Sequence, residues 1–203
     1  MNPLLLLVER IEFEVVKVEA SRSAEVQMHE AFPQLKCDFT KIEVLVRSQL
    51  DYPDAEAADP THFRFLYGVR AGKPTKPEMV APPYCIEMEA VGYFRYVGGD
   101  AHIGVERFRA VRFTGYQILY GAIREMIANV TARGPNGLWH LPGRNFHGVA
   151  KVMAEKDEEG RKAKLQGIEQ AYIPLDKSPV DSPGIKRRSA ASRKKLAADP
   201  EKG

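Results

Sequence analysis

A chain of 203 residues, 44% hydrophobic and 28% charged, has the balance of a globular protein with room for one ordinary domain and a tail, which excludes a wholly disordered, collagenous or membrane-spanning chain. Two cysteines, Cys37 and Cys85, with no C-x-x-C pair, exclude a disulfide framework. The formal net charge is +3, and from Ile168 onward eight basic residues stand against five acidic ones; the body is therefore formally neutral and has no electrostatic warrant for binding nucleic acid.

Leu4 to Val8 is a short apolar run interrupted by Glu9 and Arg10, too short for a signal peptide or a membrane span, so no membrane insertion and a cytoplasmic location are expected. Ile11 to Ala20 alternates, with Ile11, Phe13, Val15 and Val18 set between charged residues, and predicts a half-buried strand with a slip near Val16. Ser21 to Lys36 loses the pattern and predicts a crossover segment. Alternation returns from Cys37 to Leu50, which predicts a long strand carrying Cys37, Phe39, Ile42, Val44 and Val46. Tyr52 to Pro60 is a turn by composition, Phe63 to Arg70 alternates as a third strand, and Gly72 to Pro83 carries four prolines as an irregular connection. A fourth strand spans Tyr84 to Tyr96. Strands linked by loops rather than helices predict an antiparallel sheet.

The period then changes from two to nearly four. Tyr116, Leu119, Tyr120, Ile123, Ile127 and Val130 predict a helix over Gly115 to Arg133, with a stripe so wide that one sheet would not cover it, which points to a subunit interface. Arg133-Gly134-Pro135 supplies its stop, with Gly134 in the left-handed position. Asn145 is placed to cap a second helix running to about Leu165, its later half charged and solvated. The expected organisation is an α+β domain over residues 1–167 and a disordered basic tail over 168–203.

The order of these elements resembles that of the SecB export chaperones, and several short motifs carry the likeness. Ile118-Leu119-Tyr120, Arg124-Glu125, Arg133-Gly134, Leu141 and Asn145-Phe146 stand in the family's order and spacing, and Gly92-Tyr93-Phe94 resembles the family's Gly-Ile-Phe. Gly121-Ala122-Ile123 and Gly143-Arg144 depart from it. The resemblance implies a SecB-like fold with a four-stranded sheet, a long helix and a shorter C-terminal one, assembled as a homotetramer, a dimer of dimers. It implies an ATP-independent holding chaperone that binds unfolded or nascent polypeptides for export, or protects a dedicated client such as an antitoxin. It also implies docking to the motor ATPase SecA through an acidic sheet surface, with Glu87 at the docking position; the neutral body and basic tail depart from that surface.

Holding needs exposed, adaptable apolar side chains. Met28, Phe32, Met88, Tyr93 and Phe94 are the candidates for a client-binding groove, and Tyr116, Leu119, Tyr120, Ile123 and Ile127 for the oligomer interface. Met88, Tyr93 and Phe94 have packing beneath the helices as their simpler reading, and each cysteine reads as a small core residue. Trp139 is left between plugging the core and touching clients, and Arg124 is expected to bond a neighbouring loop or subunit. No cofactor is expected, since no glycine-rich phosphate loop occurs. No metal is expected, since His140 and His147 lack zinc spacing. Nor is bond chemistry expected, since no acid, base and nucleophile converge in the pattern. The tail's basic clusters carry no interleaved aromatics for base stacking. A second reading is a single-peptide adaptor of the same fold whose basic tail recruits a partner.

Overall fold

The computed structural model describes residues 5–22, 24, 27–31 and 34–171. Four strands, β1 (Leu6–Ala20), β2 (Val44–Asp51), β3 (His62–Ala71) and β4 (Tyr84–Tyr96), precede two helices, α1 (Val105–Thr131) and α2 (His147–Ala171). The strands form one antiparallel sheet in the order β1-β4-β3-β2. β2, β3 and β4 follow one another as a meander, while β1 lies on the far side of β4, a Greek-key arrangement. The fold is thus α+β, a four-stranded antiparallel sheet with two helices.

β3 and β4 have the limits that alternation assigns them, within a residue. β1 begins at Leu6, so the apolar run at the N-terminus is its first turn of pleat and not a separate feature. Its register slips twice, between Val8 and Arg10 and between Phe13 and Val15, so the bulge lies at Glu14 rather than Val16 and a second one at Glu9. The predicted strand from Cys37 is half wrong: β2 starts only at Val44, and Cys37 to Ile42 is an irregular segment whose alternating apolar residues tuck into the core from a loop.

One face of the sheet carries the helices. Phe63, Phe65, Tyr67, Val69, Ile86, Met88, Ala90 and Phe94 are buried there. α1 packs on β4, β1 and β3, and begins ten residues earlier than the periodicity suggests because Arg107 and Arg112 stand on its inner side. Both are buried and fully engaged: Arg107 donates to the carbonyls of His102 and Pro60 and pairs with Asp59, and Arg112 pairs with Asp157 of α2. Gly115 lets the helix approach the sheet, since a Cβ there would overlap the Phe65 ring. Gly104, at φ +57°, turns the chain into α1.

Burial of Tyr116, Leu119, Tyr120, Ile123 and Ile127 inside the chain corrects their expected role. They belong to the core and not to a subunit interface. The wide stripe is covered twice over: by the sheet, and by the loop that returns from Leu138 to Phe146. Phe146 stacks on Tyr116 at 5.2 Å and meets Tyr67 and Tyr120 edge-on at 6.1 and 5.5 Å. The Tyr67 hydroxyl lies buried in this cluster without a hydrogen-bond partner, and burial pushes its pKa up to about 12.

The end of α1 also departs from expectation. Gly134 is not in the left-handed region; Gly137 is, at φ +90°. Gly134 is required for another reason, because a Cβ there would meet the Tyr84 hydroxyl at 2.5 Å. Asn145 does cap α2, its Oδ1 accepting the His147 amide at 2.9 Å. α2 runs on to Ala171, past the expected end at Leu165. Its inward row changes character along the way, from Ala150 and Ala154 to Asp157, Glu158 and Arg161. The expected disordered tail falls on residues 172–203, outside the described residues.

Candidate functional site

Because β1 and β2 lie at opposite edges of the sheet, the segment between them must cross two strands, a width of roughly 14 Å at about 4.8 Å per strand spacing. That demand creates the long crossover over residues 21–43, and long connections of this kind are where binding surfaces tend to be built. Within it Met28 and Leu35 form an isolated antiparallel bridge, closed by hydrogen bonds from His29 N to Gln34 O and from Lys36 N to Gln27 O, each within 2.9 Å. The Leu35 amide then donates to Leu138 O at 2.8 Å. The crossover is thereby laid against the loop after α1.

That loop is held from beneath. The Arg124 Nε donates to Leu141 O at 3.0 Å and the Tyr120 hydroxyl to Pro142 O at 2.7 Å, so Arg124 bonds a neighbouring loop, one of the two roles its position suggests. Trp139 plugs the core: it is fully buried, stacked between Phe39 at 6.0 Å and Tyr84 at 6.2 Å. Its indole N–H has no hydrogen-bond partner of normal geometry, and the polar group beside it is the Cys37 thiol. Burial raises the thiol's pKa, with the indole contact working weakly in the other direction, so Cys37 is a neutral, apolar-behaving surface here.

Two depressions open on either side of Lys36 and Cys37. One, of about 530 Å³, is lined by His29, Leu35, Phe39, Arg124, Leu141 and Pro142 among others; the second, of about 600 Å³, by Gln27, Asp38, Lys41, Val80 and Ala81. Met28, bridged to Leu35 of the first, is 54% exposed. No family model and no curated protein matches the chain. Among solved structures it is similar to a SecB-like chaperone of Mycobacterium tuberculosis in complex with a ChAD peptide from the HigA1 antitoxin, at 14% identity and a TM-score of 0.45, covering 69% of this chain and 91% of that one. It is also similar to a Streptococcus agalactiae protein of unknown function, at 10% identity and a TM-score of 0.35, covering 68% and 96%.

Of the expected groove residues, Met28 alone among those described reaches the crossover surface. Met88 and Phe94 are sealed beneath α1, because they sit on the inward side of β4, and are core. Tyr93 points to the opposite face of the sheet, where the Arg10 guanidinium lies 4.5 Å from its ring centroid, and it helps line a separate depression of about 280 Å³ with Tyr52, His62 and Arg64. Phe32 lies outside the described residues. Glu87 also faces outward, but its cross-strand neighbours are Lys17 on β1 and Arg70 on β3, so its charge is locally compensated. The next outward position, Glu89, pairs with Arg47. This face is a lattice of alternating charges and not an acidic patch.

Sequence reasoning missed Leu35, Phe39, Arg124 and Leu141 as neighbours. Phe39 reads as a strand residue by alternation, and only the need for a long crossover, which follows from the strand order, brings it to the loop after α1. Among the described residues no group of three or more His, Cys, Asp or Glu side chains converges as a metal site, and no helix is long and apolar enough to cross a membrane.

Proposed function

We propose that this protein is an ATP-independent holding chaperone that takes up extended apolar stretches of unfolded polypeptides at the crossover surface. The observation that carries the reading is a depression of about 530 Å³ lined by half-buried Phe39 and Cys37 and floored by the loop that Arg124 and Tyr120 hold, with the exposed Met28 bridged to Leu35 of the same lining. A thioether is adaptable enough to meet many side chains, an aromatic ring offers area, and the Arg124 guanidinium at the depression can donate to a client's carbonyls or carboxylates. The motif likeness to SecB proteins points the same way. The work asked of the site is reversible binding, with each large client side chain contributing about 1.5–3 kcal/mol when fully buried and several weak sites acting together. Clients are general nascent chains or a dedicated unstable partner such as an antitoxin. The compensated charges around Glu87 argue against a motor docking there through an acidic surface.

The test is light scattering of two unrelated proteins diluted from denaturant with a molar excess of the chain and no nucleotide. Suppression of both, weakened by Met28→Glu, supports general holding at this surface. Suppression of neither, with tight binding of one peptide, replaces it with the adaptor reading.

A further inference from the structure

The crossover surface carries charge of one sign. Arg124 and the exposed Lys36 line the depression of about 530 Å³, and among the described residues no acidic side chain does. Its other titratable lining groups besides the Cys37 thiol, His29 and His140, add positive charge or none. Glu30 and Glu125, which adjoin His29 and Arg124 in the chain, are exposed and line neither depression. The second depression holds one carboxylate, Asp38, and it is already engaged: the Thr40 amide and hydroxyl donate to it, and Lys41 lies 3.8 Å away.

Several cations elsewhere are met by carboxylates of the same chain: Arg64 by Glu14, Arg95 by Glu9, Arg112 by Asp157 and Lys164 by Asp54. Among the described residues, no carboxylate lies within ion-pairing distance of Arg124 or Lys36. Arg124 is also held in place. Its Nε donates to Leu141 O at 3.0 Å, and its guanidinium lies 6.0 Å from the Tyr120 ring centroid. With Nε engaged, the two Nη groups remain as an end-on pair of donors, the arrangement that grips a carboxylate with two parallel hydrogen bonds. Arg124 is half-buried, so a carboxylate meets it with less intervening water than at an open surface, and the pairing discriminates more strongly.

Beside these cations the lining is apolar, with Leu35, Phe39, Leu141 and Pro142. A peptide that seats a large apolar side chain there strips water from Arg124 and Lys36. Unless it brings an acceptor, that hydration is lost without replacement; a carboxylate restores it, and a second cation adds repulsion. In an extended chain residues i and i+2 project to the same side, about 7 Å apart, so a carboxylate two positions from the anchor faces the same wall. We propose that this site selects extended stretches in which a large apolar residue is accompanied by Asp or Glu, and rejects those accompanied by Lys or Arg. The proposal rests on the holding reading and names the chemical class of client it takes.

The experiment is fluorescence anisotropy of labelled peptides with the full chain. Three peptides share one apolar core flanked by Asp, by Ser or by Lys; a fourth carries the Asp flanks on a core of Ser and Gly. The Asp-flanked peptide is expected to bind about tenfold more tightly than the Lys-flanked one in about 0.05 M salt, with Ser between them, and the gap to narrow in about 0.5 M salt. The fourth peptide binds at least about tenfold more weakly than the first, because it lacks the anchor. Lys36→Glu and Arg124→Gln each lower the preference for Asp over Lys at least about threefold. Each preference is a ratio taken on one protein, so partial loss of fold weakens both affinities and leaves the ratio. Equal affinity for the three apolar peptides overturns the selectivity and leaves holding intact, whereas binding of none overturns both. A preference undiminished by Lys36→Glu, or equal binding of the fourth peptide, assigns the attraction to the basic residues beyond Ile168 and also overturns the proposal.

Discussion

Arg112 of α1 holds Asp157 of α2 with two parallel hydrogen bonds, Nε to Oδ2 and Nη2 to Oδ1, each 2.7 Å, while its guanidinium is only 2% exposed. The same group lies 5.0 Å from the Phe65 ring centroid and reaches Ser48 of β2 at 3.3 Å. One side chain therefore ties both helices to the sheet. Arg112→Met leaves the Asp157 carboxylate without its partner and is expected to cost about 3 kcal/mol in urea unfolding, whereas Arg112→Met with Asp157→Leu recovers most of that loss.

Glu56 fastens the turn between β2 and β3. Its carboxylate accepts the amides of Thr61 and His62 at 2.9 and 3.0 Å, the Thr61 hydroxyl at 3.0 Å, and faces His62 Nδ1 at 2.7 Å. Burial alone would raise its pKa, but these donors outweigh burial and hold it down from 4.5 to about 2. A depressed folded-state pKa contributes stability that is complete above the unfolded value and is lost as pH falls through the folded one. The melting temperature of the unaltered chain should therefore exceed that of Glu56→Gln at neutral pH, and the gap should close between pH 4.5 and about 2.

Gly115 and Gly121 sit six positions apart on α1 and should respond oppositely to alanine. At Gly115 the added Cβ overlaps the Phe65 ring, while at Gly121 it meets nothing within 4 Å. Gly115→Ala is expected to destabilise by about 1–3 kcal/mol, and Gly121→Ala to stabilise by about 0.5–1 kcal/mol through helix propensity. Denaturant midpoints at constant slope distinguish the two.

Trp139 is the chain's single tryptophan, buried behind Phe39 at the candidate groove. Its emission should be blue-shifted in the folded protein. A peptide seated over Phe39 should change that emission, and Met28→Glu should reduce the response; a peptide that binds without altering it occupies another surface.

β3, β4 and most of α1 were legible because burial there follows regular periods of two and of three to four. Legibility failed where the chain breaks its period for a tertiary reason. Cys37, Phe39 and Ile42 alternate like a strand, yet they reach the core from a loop. Arg107 and Arg112 hide the first turns of α1, since buried arginines read as a solvent face unless Asp59 and Asp157 are already known to meet them. The core residues from Tyr116 to Ile127 read as an interface stripe because the covering loop around Phe146 has no period at all. At the candidate site Met28 could be read directly. Phe39, Arg124 and Leu141, which line the depression with its bridge partner Leu35, could not, because only the strand order brings them together.

The position of β1 also orders events during folding. Leu6 pairs with Tyr96 and Ala20 with Tyr84, so β1 leaves the ribosome well before the strand it needs, while β2, β3 and β4 can close as successive hairpins. Loop-closure entropy and contact order then make β1 the last strand to be secured. Its amides should gain protection after those of β2 and β3 in pulse-labelled hydrogen exchange. A protein read here as a holder of unfinished chains would itself carry, through much of its synthesis, an unpaired apolar strand of the kind it is proposed to shelter.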